Sequence, residues 1–85
     1  MPTYACMLAG WDEQSIIGWD GLGQTWFAQL WRNGSTGDAP DVWLSGAPPI
    51  PSPAQLVRVM AATTGMAISE VHAAVSAAMG WERWW

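Results

Sequence analysis

The sequence contains no lysine, and its positive charge is limited to three arginines, Arg32, Arg58 and Arg83. Seven carboxylates outnumber them and give a formal net charge of −4 at pH 7. Binding to a nucleic acid backbone requires a cluster of cations that replaces the condensed counterions. Three scattered arginines do not form one, and seven dispersed carboxylates are too few for a DNA mimic. We therefore expect no nucleic acid partner.

Cysteine and histidine are equally scarce, with one residue of each, Cys6 and His72. A single cysteine excludes a disulfide within the chain, and its usual role is that of a small buried side chain. A zinc site needs several cysteine or histidine ligands. Cys6 and His72 are the only residues that would form a nucleophile and base, and no catalytic motif surrounds them. We expect neither an enzyme nor a zinc site.

Acids and glycines between residues 10 and 23 do not form a known ligand-binding motif. Asp12, Glu13 and Asp20 lack the spacing of an EF-hand loop, so they are better interpreted as solvated loop residues. The glycines at 18, 21 and 23 lack the Lys-Ser/Thr ending of a phosphate-binding loop. The sequence therefore predicts no metal ion and no cofactor.

Long apolar runs are also missing. No stretch approaches the roughly 18–20 apolar residues of a membrane span. The apolar run from Tyr4 to Ala9 is too short for a secretory signal and has no positive region before it. Together with the single cysteine, these features predict a cytoplasmic protein. With 85 residues, we expect one domain, 1–85.

Tryptophan is the residue in excess, with eight in 85 positions. Each indole has on the order of 200 Å² of surface. A domain of this size hides only about 60–65% of the surface that its unfolded chain exposes. Some indoles should therefore be exposed or lie in an interface. The tryptophans are Trp11, Trp19, Trp26, Trp31, Trp43, Trp81, Trp84 and Trp85.

Three segments have the pattern of β-strands, at about 3–9, 24–32 and 41–45. The middle segment also fits a helix, but its aromatic content and the Asn33-Gly34 turn after it favour a strand. Residues 10–23 contain four glycines and three acids, a composition typical of a loop.

The last third predicts two helices, at about 53–64 and 70–79. Ser52-Pro53-Ala54-Gln55 is a capping box with proline at the first helical position, and Gly65 ends that helix. Ser69 is the predicted cap of the second helix, which Gly80 ends. The predicted apolar faces comprise Leu56, Val59, Met60 and Thr63 in the first helix, and Val71, Ala74, Val75, Ala78 and Met79 in the second.

These elements predict an α+β fold, a small two-layer domain. A two- to three-stranded antiparallel sheet would pack the two helices on one face. The opposite face would carry Trp43 and either Trp26 or Trp31, an exposed aromatic patch.

A Gly-Trp-acid triplet occurs at Gly10-Trp11-Asp12, Gly18-Trp19-Asp20 and Gly80-Trp81-Glu82. Their uneven spacing excludes a structural repeat. Two interpretations fit the first two triplets: the indole folds back as a plug at the edge of the core, or the pair forms aromatic contacts at a loop tip. Residues 81–85 likewise either dock on their own domain or insert into a partner or a second copy.

Tryptophan and arginine dominate interface hot spots. The sequence therefore predicts a small protein–protein interaction module, namely an accessory, adaptor or inhibitor protein of bacterial or phage origin. Its partner would be another protein or a second copy in a homodimer, and too little positive charge is present for a membrane surface. The alternative is a small-ligand or carbohydrate-binding module with stacking indoles and Asp12, Asp20 or Gln24 at the rim. The candidate binding residues are Trp11, Trp19, Trp81, Arg83, Trp84 and Trp85.

Overall fold

The computed structural model describes residues 3–35 and 37–80. They form an antiparallel sheet with the strand order β1-β2-β3-β4, followed by two helices. The predicted α+β class is confirmed, with one strand more than expected. The elements are β1 (Thr3–Ala5), β2 (Ile16–Asp20), β3 (Thr25–Leu30), β4 (Val42–Leu44), α1 (Pro53–Thr64) and α2 (Ile68–Ala78).

The strand register divides the sheet into two faces. One cross-strand row consists of Tyr4, Ile17, Ala28 and Leu44, and the face that it marks is called the inner face. Ile17 and Ala28 are fully buried and belong to one apolar core with residues of both helices. Because side chains alternate along a strand, the neighbouring row points away from the helices. That row is Ala5, Ile16, Gln29 and Trp43, and it marks the outer face.

β2 lies where the sequence predicted a loop, and that prediction is wrong. Ile16–Asp20 pairs with β1 on one side and β3 on the other, so it is an interior strand. Gly18 within it is buried. Glycine weakens a strand by itself, but pairing on both sides outweighs that local preference.

β1 is shorter than the predicted strand at 3–9. The Cys6 N–H still donates to the Ser15 carbonyl oxygen at 2.9 Å, but the chain then leaves the ladder and turns at Gly10, whose φ is +86°. Cys6 and Leu8 remain buried in the core. The inward-facing alternation therefore continues past the end of the strand.

α1 has the predicted ends. The Ser52 hydroxyl accepts the Gln55 N–H at 3.2 Å, and Gly65 closes the helix with a φ of +77°. Its buried face differs from the predicted stripe, because Val57 and Ala61 are buried while Val59 is half-buried and Thr63 exposed. The buried face of α1 thus shares Leu56 and Met60 with the predicted stripe but extends to the other side of them. The buried residues are Leu56, Val57, Met60 and Ala61.

α2 begins two residues before the predicted start. Its N-terminal cap is Ala67, which makes no side-chain capping bond, and Ser69 lies inside the first turn. Glu70 stands in that turn, where a carboxylate interacts favourably with the helix dipole. The predicted apolar face is confirmed: Val71 and Val75 are fully buried, and the other three residues pack against the core. Those three are Ala74, Ala78 and Met79.

The connector between β4 and α1 is attached to β3. Thr25 Oγ1 accepts the Ile50 N–H at 2.7 Å, and the Trp26 N–H donates to the Ile50 carbonyl oxygen at 2.8 Å. The connector contains a cis peptide bond between Ala47 and Pro48. These bonds fix the edge of the sheet at which β4 lies.

Candidate binding face of the sheet

The outer face carries the exposed aromatic side chain of Trp43, as predicted. Trp43 is 64% exposed and stands in β4 beside Gln29 of β3. The sequence also predicted either Trp26 or Trp31 on this face, and neither of them is exposed. Trp26 belongs to the inner face, where it is half-buried and packs against the core. Trp31 is 9% exposed.

An open depression of about 260 Å³ lies beside Trp43 on the outer face. It combines two aromatic rings with a carboxylate, an amide and a hydroxyl group. The lining residues are Asp20, Phe27, Gln29, Trp43 and Ser45. Small-ligand and side-chain pockets have this composition, in which apolar rings provide contact area and a few polar groups select orientation.

The Asp20 carboxylate is held in place by the β2–β3 turn. Its Oδ1 accepts the N–H of Leu22 at 3.0 Å and the N–H of Gly23 at 3.2 Å. Neither described arginine lines the depression: Arg32 lies over the Trp11 ring, and Arg58 is exposed on α1. Among the described residues that line the depression, Asp20 is therefore negatively charged and none is basic.

Trp11 and Trp19 do not form the predicted pair at a loop tip. Trp11 is 8% exposed and belongs to the core, with the Arg32 guanidinium carbon 4.7 Å from its ring centroid. Trp19 lies in β2, half-buried, and its ring is tilted 60° against Trp26 at a centroid distance of 5.7 Å. The first interpretation of the triplets, a plug at the edge of the core, describes Trp11.

Four of the six candidate binding residues, Trp81, Arg83, Trp84 and Trp85, lie outside the described residues. Of the three polar residues predicted to bind a ligand at the rim, Asp12, Asp20 and Gln24, only Asp20 lines the depression. The Asp12 carboxylate accepts the Gln14 N–H, and the Gln24 amide donates to the Gly21 carbonyl oxygen. Neither residue lines the depression.

Sequence reasoning missed Phe27, Gln29 and Ser45 as candidate site residues. They share the outer-face alternation with Trp43, so the signal that could have found them is strand parity. Parity becomes informative only when the register is known, because a shift of one residue exchanges the two faces.

Cys6 has the properties of a core residue. It is fully buried, and burial raises the pKa of its thiol from 9.0 to about 11. The thiol is therefore neutral at neutral pH, whereas a nucleophilic cysteine acts as the thiolate. Among residues 3–35 and 37–80, no group of three His, Cys, Asp or Glu residues is placed to hold a metal ion.

The raised pKa of Cys6 predicts a loss of stability in alkali. The pKa of the Cys6 thiol is higher in the folded than in the unfolded chain, so ionisation of the unfolded chain at high pH favours unfolding. The contribution of the neutral thiol to the free energy of unfolding is therefore complete below about pH 9 and is lost as the pH rises through 11. Because of the Cys6 thiol, we expect the free energy of unfolding to fall by on the order of 2 kcal/mol between pH 9 and pH 11. Urea denaturation at a series of pH values measures it. The Cys6→Ala variant serves as control, and parallel pH profiles for the two proteins would contradict the prediction.

Comparison with models of protein families, with curated proteins and with solved structures finds no match to this chain. Of the described residues, the two helices have 12 and 11 residues, and neither qualifies as a membrane span.

Proposed function

We propose that this chain is a protein–protein interaction module that binds a basic segment of its partner on the outer face of the sheet. It would act in the cytoplasm as an accessory, adaptor or inhibitor protein of bacterial or phage origin. The observation that supports the proposal is the exposure of Trp43 beside the Asp20 carboxylate in an open depression.

The chemistry of the depression favours a cationic side chain as the group that is bound. The face of an indole attracts a guanidinium or ammonium group by about 0.5–2 kcal/mol, with tryptophan the strongest aromatic partner. Asp20 supplies an opposite charge, and the whole chain has a net charge of −4. Long-range attraction and short-range contacts thus select the same class of partner.

A peptide titration followed by NMR tests the proposal. The probe is a short arginine-rich peptide, and the signals are the indole N–H resonances, with that of Trp43 assigned through Trp43→Phe. We expect the Trp43 signal to shift, and Trp43→Ala to weaken binding about 5- to 30-fold, as the loss of ~1–2 kcal/mol requires. A glutamate-rich peptide of equal length should cause no shift.

Ile68→Ala is the matched control, because Ile68 is an exposed apolar residue of α2 on the helix layer. Its affinity for the peptide should equal that of the unchanged protein. Equal binding by Trp43→Ala, or peptide shifts that leave the Trp43 signal unmoved, would overturn the proposal. A Trp43 signal that moves with protein concentration alone would instead identify a second copy as the occupant.

Carbohydrate binding is the second candidate, and the same depression favours it. A sugar ring could stack on Trp43 while the Gln29 amide and the Asp20 carboxylate bind its hydroxyl groups. The titration separates the two functions when neutral oligosaccharides replace the peptide. Only a sugar site would shift the Trp43 signal with an uncharged ligand and remain insensitive to salt, because ion pairing is screened by salt.

A further inference from the structure

An apolar groove separates α2 from the segment that follows β1. Its open volume is about 440 Å³, and it shares no lining residue with the depression beside Trp43. Met7, which is 65% exposed, forms one wall, and exposed alanines of α2 form another. The lining residues are Met7, Leu8, Ala9, Met66, Glu70, Ala73, Ala74 and Ala77.

We propose that this groove is the docking site for residues 81–85 of the same chain. These residues lie outside the described part of the structure, and they follow Gly80 directly. Gly80 has a φ of +74°, the left-handed conformation with which helices commonly end and the chain changes direction. The chain thus leaves α2 within one turn of Ala77, a lining residue of the groove.

The length of residues 81–85 suits the groove. Five residues span at most ~17 Å when extended. Glu70 and Ala77, at the two ends of the α2 wall, are separated by ~10 Å along the helix axis at 1.5 Å per residue. A segment that returns along α2 can therefore reach every part of this wall.

The chemistry of the two surfaces is complementary. Alanine side chains leave room for flat rings, and the thioethers of Met7 and Met66 are favourable neighbours for aromatic rings. Three of the residues 81–85 are tryptophan, and Arg83 is the cation among them. Glu70 is the carboxylate in the groove and provides the opposite charge.

Attachment to the same chain favours this occupant over a second copy. A short connection holds two interacting groups at a local concentration of the order of millimolar. Gly80 alone separates Trp81 from Met79, which itself packs against the core. Intramolecular docking would therefore persist on dilution, whereas a dimer would dissociate.

Methyl NMR of the methionines tests the proposal. The full chain is compared with a variant in which Trp81, Trp84 and Trp85 are alanine. We expect the Met7 and Met66 methyl signals to lose an upfield shift caused by the indole rings. The methyl signal of Met60, which is fully buried in the core, should stay in place.

A second pair of variants keeps the tryptophans and changes the groove. Ala77→Glu should move the Met7 and Met66 signals in the same direction as the triple variant. Ala62→Glu, at an exposed alanine of α1 that does not line the groove, should leave them unchanged. Arg83→Glu should give a partial shift, because it reverses the charge that faces Glu70.

Dilution and the control signal decide the result. Shifts that persist on dilution support docking within one chain, and shifts that disappear on dilution overturn it in favour of a second copy. Met7 and Met66 signals that move no more than that of Met60 overturn it as well. Because the groove and the outer face have no lining residue in common, either proposal can fail without the other.

Discussion

Trp11→Ala is expected to lower the free energy of unfolding by about 3–5 kcal/mol, the usual cost of removing a large aromatic ring from a core. Trp11 is 8% exposed, packs in the core and lies under the Arg32 guanidinium group. A domain of 85 residues has a total stability of only about 4–13 kcal/mol. The variant should therefore be partly unfolded at room temperature or unfold at much lower urea. Far-UV circular dichroism measures this without relying on tryptophan fluorescence.

Trp43→Ala is the matched control, since it removes the same side chain from an exposed site. Its effect on stability should stay within about 0.5 kcal/mol, as for most surface substitutions. Arg32→Ala should cost about 0.5–1 kcal/mol, the value of an exposed cation–π contact. If Trp11→Ala and Trp43→Ala unfold at the same urea concentration, Trp11 is not part of the core.

The sequence could not separate Trp11 from Trp43, because the same residue type fits both roles. Trp11 follows a glycine and precedes an acid, which resembles an exposed turn. Its burial depends on a backbone bridge to Arg32, 21 positions further along the chain. Such a long-range pairing leaves no periodic pattern in the sequence. The class of fold and the exposure of Trp43 were predictable, whereas the burial of Trp11 was one of two interpretations that the sequence left open.

β2 was missed for a related reason. Ile16, Ile17 and Trp19 have strong strand preferences, but the surrounding glycines and acids indicated a loop. Residues 16–20 form a strand because they pair with β1 on one side and β3 on the other. The interactions that decide their structure are therefore not local. Without β2, the place of Asp20 next to Phe27 and Gln29 could not be inferred either.

The orientation of α1 shows a smaller ambiguity. Leu56 and Met60 are four residues apart and define the centre of any apolar stripe. Val57 with Ala61 extends the stripe on one side, and Val59 with Thr63 extends it on the other. Both stripes have the helical period, and packing against the sheet decides between them.

Gly46 is the position at which backbone strain and packing combine. Its φ of +89° is in the left-handed region, and a Cβ atom there would overlap the Thr25 side chain, with Oγ1 at 2.6 Å and Cβ at 2.9 Å. Thr25 is 3% exposed and bonds to the connector through Ile50, so it has little room to move. A side chain at position 46 therefore requires the connector or β3 to shift.

Gly46→Ala is accordingly expected to cost about 2–5 kcal/mol, the sum of left-handed strain and overpacking. Gly34→Ala isolates the strain, because Gly34 has a φ of +82° and, chain neighbours aside, no atom of the described residues lies within 4 Å of the added Cβ. That control should cost only about 1–2 kcal/mol. Urea denaturation of both variants measures the difference. Equal losses in the free energy of unfolding would show that the Thr25 side chain moves aside at no cost. A larger loss at Gly46 would show that Thr25 holds the connector rigidly beside Ser45, at the border of the depression beside Trp43.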